Sequence, residues 1–325
     1  MFGETFKNVS INFTSPHPNC TFTSGDMVSG EMRLELSKDV KIQHISMTLK
    51  GKAKVRWTTR SGSGKRRRTR VHTAKVEFFK LESNVVQGQN DDEIVLKTGI
   101  HVYPFRCQIP HGDFPTSFVG LYGRIQYAVI FGIHRSWHMA KKFESEFKFV
   151  NPVDCNNPAL LVPISADNSK TVCCLWCASG PITMNVRLER KGFVPGEILR
   201  ISAEFGNGSS RRVVPKAVLV QKQTYTAGSS RKLVPITLVS AIGQEVQPNH
   251  SDVCCDILLT IPEDTHTSIA NLPILELEYH VMVSLDISGA SNLNTSLPIV
   301  VCNIPLHQEE SLPPPYWMFA KTNIS

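Results

Sequence analysis

The sequence predicts an all-β protein built from two tandem sandwich domains, and three observations predict it. Apolar and polar residues alternate over much of the chain: Met32, Leu34 and Leu36; Ile125, Tyr127, Val129, Phe131 and Ile133; Ile182, Met184, Val186 and Leu188. A period of two turns one face of each segment toward a core, the pattern of a half-buried strand. These runs are short, are punctuated by turn residues, and are not interrupted by any amphipathic helix of three turns, which points to a sandwich or barrel. Finally, the chain repeats itself. Ile109-Pro110 is followed by Tyr127, Val129, Phe131 and Ile133; Ile261-Pro262 is followed, at the same separation, by Tyr279, Val281, Val283 and Leu285. Val28-Ser29-Gly30-Glu31 precedes the first signature and Val194-Pro195-Gly196-Glu197 the second. Two motifs in the same order argue for duplication of one β domain.

Taken in order, the first strand with clear alternation spans Met32 to Leu36. Val40 and Ile42, then Ile45, Met47 and Leu49, alternate in turn with a change of phase around His44, which is expected to be a bulge. Gly25-Asp26 and Pro110-His111-Gly112 read as turns, and Gly206-Asn207-Gly208 as a hairpin turn. The Pro-containing segment NPVDCNNPALLVPISADNSK (151–170) reads as a linker. The expected organisation is a first sandwich over 1–152, a linker over 153–172, a second sandwich over 173–305 and a short flexible tail over 306–325.

A hydrophobic fraction of 41% with 19% charged residues belongs to a folded chain. The start, MFGETFKNVSINF, lacks a charged-then-apolar leader pattern, and no run approaches the roughly 18 apolar residues of a membrane span. The expected location is therefore cytoplasmic. Nine cysteines, an odd number with vicinal pairs at Cys173-Cys174 and Cys254-Cys255, do not make a regular disulfide framework. Residues 1–150 carry 23 Lys and Arg against 13 Asp and Glu, whereas the rest of the chain carries 12 against 15, so attraction to an anionic partner belongs to the first half.

TSGDMVSGEMRLELSKDVKIQHISMTLKGKAKVRW (23–57) and TVCCLWCASGPITMNVRLERKGFVPGEILRISAEFGNGSSRRVVPKA (171–217) resemble the first and second domains of the α-arrestins, the arrestin-domain-containing proteins. The resemblance covers almost the whole chain and implies two arrestin-type, immunoglobulin-like sandwiches packed end to end. It also implies a trafficking adaptor: the sandwiches bind a membrane receptor or transporter as cargo, and the tail recruits a WW-containing HECT-type ubiquitin ligase, so that cargo is ubiquitinated, endocytosed and sorted at endosomes. On this reading the protein sits peripherally at the plasma membrane and endosomes. Members of the family usually carry two PPxY motifs in a long tail; this chain has one, about twenty residues from Ile304-Pro305 to its end. The alternative is a structural retromer-like coat subunit that recruits no ligase.

The tail motif is Leu312-Pro313-Pro314-Pro315-Tyr316. Consecutive prolines preset a polyproline II helix, which loses little entropy on docking in an aromatic groove, and a tyrosine fills a second pocket. Pro313, Pro314 and Tyr316 are the expected WW-binding residues. The overlapping Tyr316-Trp317-Met318-Phe319 also fits a Tyr-x-x-apolar sorting signal, a much commoner pattern. Lys65, Arg66, Arg67, Arg68 and Arg70 are expected at a hairpin tip, either as a solvated basic loop or as a contact for phosphorylated tails or anionic lipid. Nucleic acid is not expected, because the run has no interleaved aromatics for stacking.

Cys173, Cys174 and Cys177 lack a second ligand pair for zinc, and a redox Cys-x-x-Cys would need a helix N-terminus; they read as structural thiols. His134 and His138 read as surface or edge histidines, since in a strand their spacing does not make a zinc pair. No nucleophile elbow, phosphate loop or His-Glu-x-x-His occurs. No catalytic residue, metal site or cofactor is expected.

Overall fold

The structure, a computed structural model, describes residues 5–62, 68–88, 93–172 and 180–307. In chain order the first domain contributes β1 (Phe6–Thr14), β2 (Thr21–Phe22), β3 (Met27–Leu36), β4 (Val40–Ile42), β5 (His44–Ser61), β6 (Arg68–Gln87), β7 (Ile94–Leu96), β8 (Gly99–Gln108), β9 (Phe118–Val119), β10 (Gly123–Arg135) and β11 (His138–Phe149). The second contributes a single helical turn, α1 (Pro158–Leu161), then β12 (Ile164–Thr171), β13 (Pro181–Leu188), β14 (Gly192–Phe193), β15 (Ile198–Asn207), β16 (Val213–Ala227), β17 (Ser230–Ile242), β18 (His250–Thr260), β19 (Leu275–Ile287) and β20 (Leu293–Val301).

The main sheets of the two domains share their strand orders. One sheet of the first domain runs β1-β3-β8 and the other β2-β11-β10-β5-β6; in the second domain β13-β15-β18 and β14-β20-β19-β16-β17 repeat both orders. Even the parallel edge pairs match, β2 on β11 and β14 on β20. The predicted alternation is the burial pattern of β13 and β19, whereas β10 is buried on its other face as well, at Gln126 and Ala128. Ile182, Met184, Val186 and Leu188 are buried on β13, and every second residue of β19 from Leu275 to Ile287 is buried. In the first domain the space between sheets is filled by aromatic rings: Phe13, Phe22, Phe105, Phe131 and Phe147 meet edge to face, and Tyr127 stacks on Phe149 at 4.4 Å.

The repeated tyrosines do the same work in both halves. Tyr127 donates its hydroxyl to Pro115 O and Tyr279 to His266 O, each at 2.6 Å. Both rings are fully buried, so an unpaired hydroxyl there would be costly. The second repeated motif needs correcting. Val194-Pro195-Gly196-Glu197 is a tight turn with Gly196 at φ +84°; Glu197 N bonds Val194 O, and Glu197 O accepts from Ile261 N. Its structural counterpart is Thr23-Ser24-Gly25-Asp26, with Gly25 also at +84°, Asp26 N on Thr23 O and Asp26 O accepting from Ile109 N. In each turn the acidic side chain folds back onto the N–H three residues earlier. Val28-Ser29-Gly30-Glu31 instead lies inside β3, where Gly30 has an unrelated role: a Cβ there would come 1.9 Å from Asn12 O on β1.

Three further expectations change. The phase slip at His44 is a break between strands, since β4 pairs with β7 while β5 pairs with β10 and β6; a bulge does occur, one step later, at Ile45/Ser46. Gly206-Asn207-Gly208 is not a hairpin turn, because β15 and β16 belong to different sheets. The chain crosses there around the buried Asn207, whose Nδ2 donates to Arg211 O and Val246 O and whose Oδ1 accepts from Ser209 Oγ. The expected linker 153–172 is largely structured. Residues 164–171 form β12, an additional edge strand on β13, and Asn157 caps α1 through Ala159 N.

Candidate functional site

Residues 151–156 and 303–307 are sewn together at the junction of the domains. Asn303 Nδ2 donates to Asn151 O at 2.9 Å, Val153 N to Asn303 Oδ1 at 2.7 Å, and Cys155 N to Ile304 O at 3.1 Å. Asn156 completes the seam: its Nδ2 donates to Pro305 O and its Oδ1 accepts from His307 N, both at 2.9 Å. Beneath lie the Cys155 and Cys302 thiols, both buried and in mutual contact, and burial pushes both up from the ordinary thiol range. The root of the tail is thus fixed against the interdomain connection. Pro313, Pro314 and Tyr316 lie outside the described residues. Pro313 is six residues on from His307, a reach of at most about 20 Å.

The domains also meet along a second seam. Tyr122 meets Tyr225 edge to face at 5.7 Å, and Phe118 meets His266 at 5.1 Å. Asn271 Nδ2 donates to Asp113 O at 3.2 Å. Behind these contacts runs a buried chain of neutral hydrogen bonds. The N–H groups of Leu121 and Tyr122 face the Tyr225 hydroxyl, which donates to Gln223 Oε1. Gln223 Nε2 donates to Gln221 Oε1, and Gln221 Nε2 to the Tyr279 hydroxyl, each at 2.8 Å. The Tyr279 hydroxyl ends the chain on His266 O, so both ends of the chain touch residues that pack on the first domain. Bonds aligned head to tail in this way polarise one another. Nothing in the alternation pattern marked Gln221 and Gln223 as buried; polar residues within a long β strand read as solvent-facing.

The basic hairpin divides. Lys65, Arg66 and Arg67 lie outside the described residues, whereas Arg68 and Arg70 are exposed at the start of β6, opposite Ser61 and Thr59 on β5. Sequence reasoning missed a second set of cations on β5 and β10: Lys54, Arg56, Arg60 and Arg124 are also exposed. The signal was present in the alternation Lys50-Gly51-Lys52-Ala53-Lys54-Val55-Arg56, which presents one charged face. His134 is half-buried and stacks on His44 at 4.0 Å, with Ser46 Oγ 2.9 Å from its Nε2; His138 is exposed. Desolvation, then the neighbouring His44, lower the pKa of His134. Cys173, Cys174 and Cys177 lie outside the described residues. Among the described residues no three His, Cys, Asp or Glu converge as metal ligands.

Comparison with known proteins agrees with this architecture. Residues 9–156 match the family model described as Arrestin (or S-antigen), N-terminal domain, and residues 178–306 the corresponding C-terminal domain. Arrestin domain-containing protein 4 of Mus musculus is 32% identical over 308 residues, covering 92% of this chain and 72% of the relative. The Homo sapiens protein of the same name is 32% identical over 306 residues, with the same coverage. Thioredoxin-interacting protein of Mus musculus is 28% identical over 295 residues, covering 91% of this chain and 73% of its own.

Proposed function

The chain belongs to the arrestin family, among the α-arrestins, and from that premise we propose that it is a trafficking adaptor whose tail recruits a WW-containing HECT-type ubiquitin ligase to membrane cargo. Family membership supports the adaptor role, and no catalytic family is among the matches. The cargo is a membrane receptor or transporter held by the sandwiches, and the protein acts at the cytoplasmic side of the plasma membrane and endosomes.

One observation carries the ligase reading: a Pro-Pro-Pro-Tyr sequence begins six residues beyond a tail root that is hydrogen-bonded to the domain junction. Docking there would tether a ligase within about 20 Å of the junction, and tethering raises its effective concentration at cargo lysines without a separate recognition step. The basic run Lys65–Arg70 is offered to an anionic partner in the same complex on the strength of its charge.

Calorimetry with an isolated WW domain tests the tail, using the full chain and a peptide spanning residues 306–325. Tyr316→Ala should abolish binding, because it empties the tyrosine pocket. Pro315→Ala, at the variable position, should cost far less. Phosphorylation of Tyr316 should weaken binding by bringing roughly −1.5 to −2 of charge into a pocket shaped for a phenol. If Tyr316→Ala binds as the parent does, or neither binds, ligase recruitment is wrong for this chain.

A further inference from the structure

The outward face of the first-domain sheet sorts its charges into two ends. At one end carboxylates neutralise the lysines: Glu77 pairs with Lys50 and Lys75, Glu144 with Lys52 at 3.4 Å, and Glu82 with Lys80 at 2.9 Å. At the other end, beside the second domain, Lys54, Arg56, Arg60 and Arg124 are exposed. Among the described residues none of these four has a carboxylate within ion-pair distance. Lys54 sits directly opposite Arg124 on one neighbouring strand; on the other it faces Lys75, whose charge Glu77 already offsets. Like charges facing each other across strands destabilise a sheet, so folding does not account for the row.

The second domain adds to it. Lys232 places its ammonium 4.7 Å from the centre of the Tyr122 ring, and Tyr122 O accepts from Arg56 N at 2.7 Å. Apolar side chains stand exposed among these cations. Val119, the cross-strand partner of Arg124, is 77% exposed, Leu121 is 67% exposed and Val71 on β6 is 51% exposed. A soluble domain gains nothing by presenting valine and leucine to water beside unpaired lysines and arginines.

We propose that this face rests on a bilayer leaflet containing anionic lipids. Lys54, Arg56, Arg60, Arg124 and Lys232 meet the headgroups, while Val119 and Leu121 enter the interfacial layer. Cations mixed with exposed aliphatic side chains are the composition of a peripheral membrane contact, where electrostatic attraction and apolar burial act together. An acidic or phosphorylated peptide would use the cations and leave the valine and leucine in water, which is why the membrane is the better match. This contact goes beyond ligase recruitment: it needs neither the tail motif nor a cargo protein, and it involves residues distinct from the Lys65–Arg70 run.

The test is co-sedimentation of the full chain with vesicles of phosphatidylcholine alone or mixed with phosphatidylserine, in the absence of cargo and ligase. The parent should bind the mixed vesicles selectively, and added salt should weaken binding. Each neutralised cation should lower affinity about fivefold, so Lys54→Gln/Arg56→Gln/Arg124→Gln should lose about a hundredfold. Lys54→Arg should bind as the parent does. Val119→Ser/Leu121→Ser should lose severalfold on the same vesicles with its charge intact. All these positions are exposed, and a melting temperature no lower than the parent's confirms that each variant is folded. The proposal is overturned if the triple variant binds as the parent does. It is also overturned if Val119→Ser/Leu121→Ser is silent and soluble polyglutamate displaces the vesicles, since the face would then be a site for acidic peptides. Because the tail is untouched throughout, failure here leaves the ligase reading standing, and loss of WW binding leaves this one standing.

Discussion

Replacing Gln221 with Leu cuts the buried hydrogen-bond chain in its middle, and what is left behind sets the cost. Gln221 accepts from Gln223 Nε2 and donates to the Tyr279 hydroxyl, each at 2.8 Å. The leucine strands Gln223 Nε2 in a buried site, which costs about 1–3 kcal/mol. Tyr279 keeps its bond to His266 O and loses only a donor, about 1 kcal/mol or less, which added apolar burial offsets in part. Gln221→Leu should therefore cost about 1–3 kcal/mol. Gln223→Leu strands both Gln221 Oε1 and the Tyr225 hydroxyl, so it should cost about 2–4 kcal/mol. In the double variant the two glutamines no longer leave each other unpaired. Its loss should fall short of the sum of the single losses by about 1–3 kcal/mol, the signature of a coupled network. Urea unfolding of the four proteins, followed by far-ultraviolet circular dichroism, closes the cycle. Single losses that add within about 0.5 kcal/mol would mean that the residues act independently and that no chain exists.

The remaining predictions concern single sites. Gly30→Ala should destabilise the first domain by about 3 kcal/mol or more, because the new Cβ meets a β1 backbone carbonyl that cannot move without opening the sheet; a melting temperature within a degree or so of the parent's would refute it. Tyr127→Phe keeps the stacked ring but leaves Pro115 O without its buried donor, and should cost about 1–2 kcal/mol in chemical denaturation. Desolvation, with His44 alongside, holds His134 below the ordinary histidine value of 6.5, so as pH falls the unfolded chain takes up this proton before the folded one does. Its stability contribution is complete above that value and is lost as pH falls toward the folded pKa; melting temperature should therefore drop on acidification, and less steeply in His134→Gln, which keeps a partner for Ser46.

The parts of the molecule legible in the sequence were those governed by period and spacing. Alternating apolar residues named the core faces of β10, β13 and β19, and the matched Ile-Pro and Tyr positions named the duplication, because each tyrosine hydroxyl binds a carbonyl in the segment between the Ile-Pro pair and itself. What stayed hidden depended on which strand lies beside which. Val28-Ser29-Gly30-Glu31 matches the turn at 194–197 in three of its four residues, yet its glycine answers to Asn12 O, eighteen residues away, rather than to a left-handed backbone. The phase slip at His44 looked like a bulge because sequence alone does not say that β4 and β5 pair with different strands.

The same limit applies to the charged surface. A run such as Lys65–Arg70 attracts notice because its charges are consecutive, whereas Lys54, Arg124 and Lys75 are scattered over more than seventy positions and become neighbours only through strand register. Cations that are neighbours only in sequence can separate and hydrate, so they say little about a partner. Cations fixed opposite one another on adjacent strands, as Lys54 and Arg124 are, cannot, and the sheet bears their repulsion whether or not a ligand is present. Their placement beside the domain seam gives that repulsion a consequence for the whole chain. An anionic surface that neutralises Arg124 and Lys54 would relieve strain on β10 and β5, and β10 carries Gly123 against Tyr225 and Leu275 of the second domain. Membrane contact and domain packing would then favour each other, so the melting temperature of the parent should rise on phosphatidylserine vesicles and fall back on phosphatidylcholine alone.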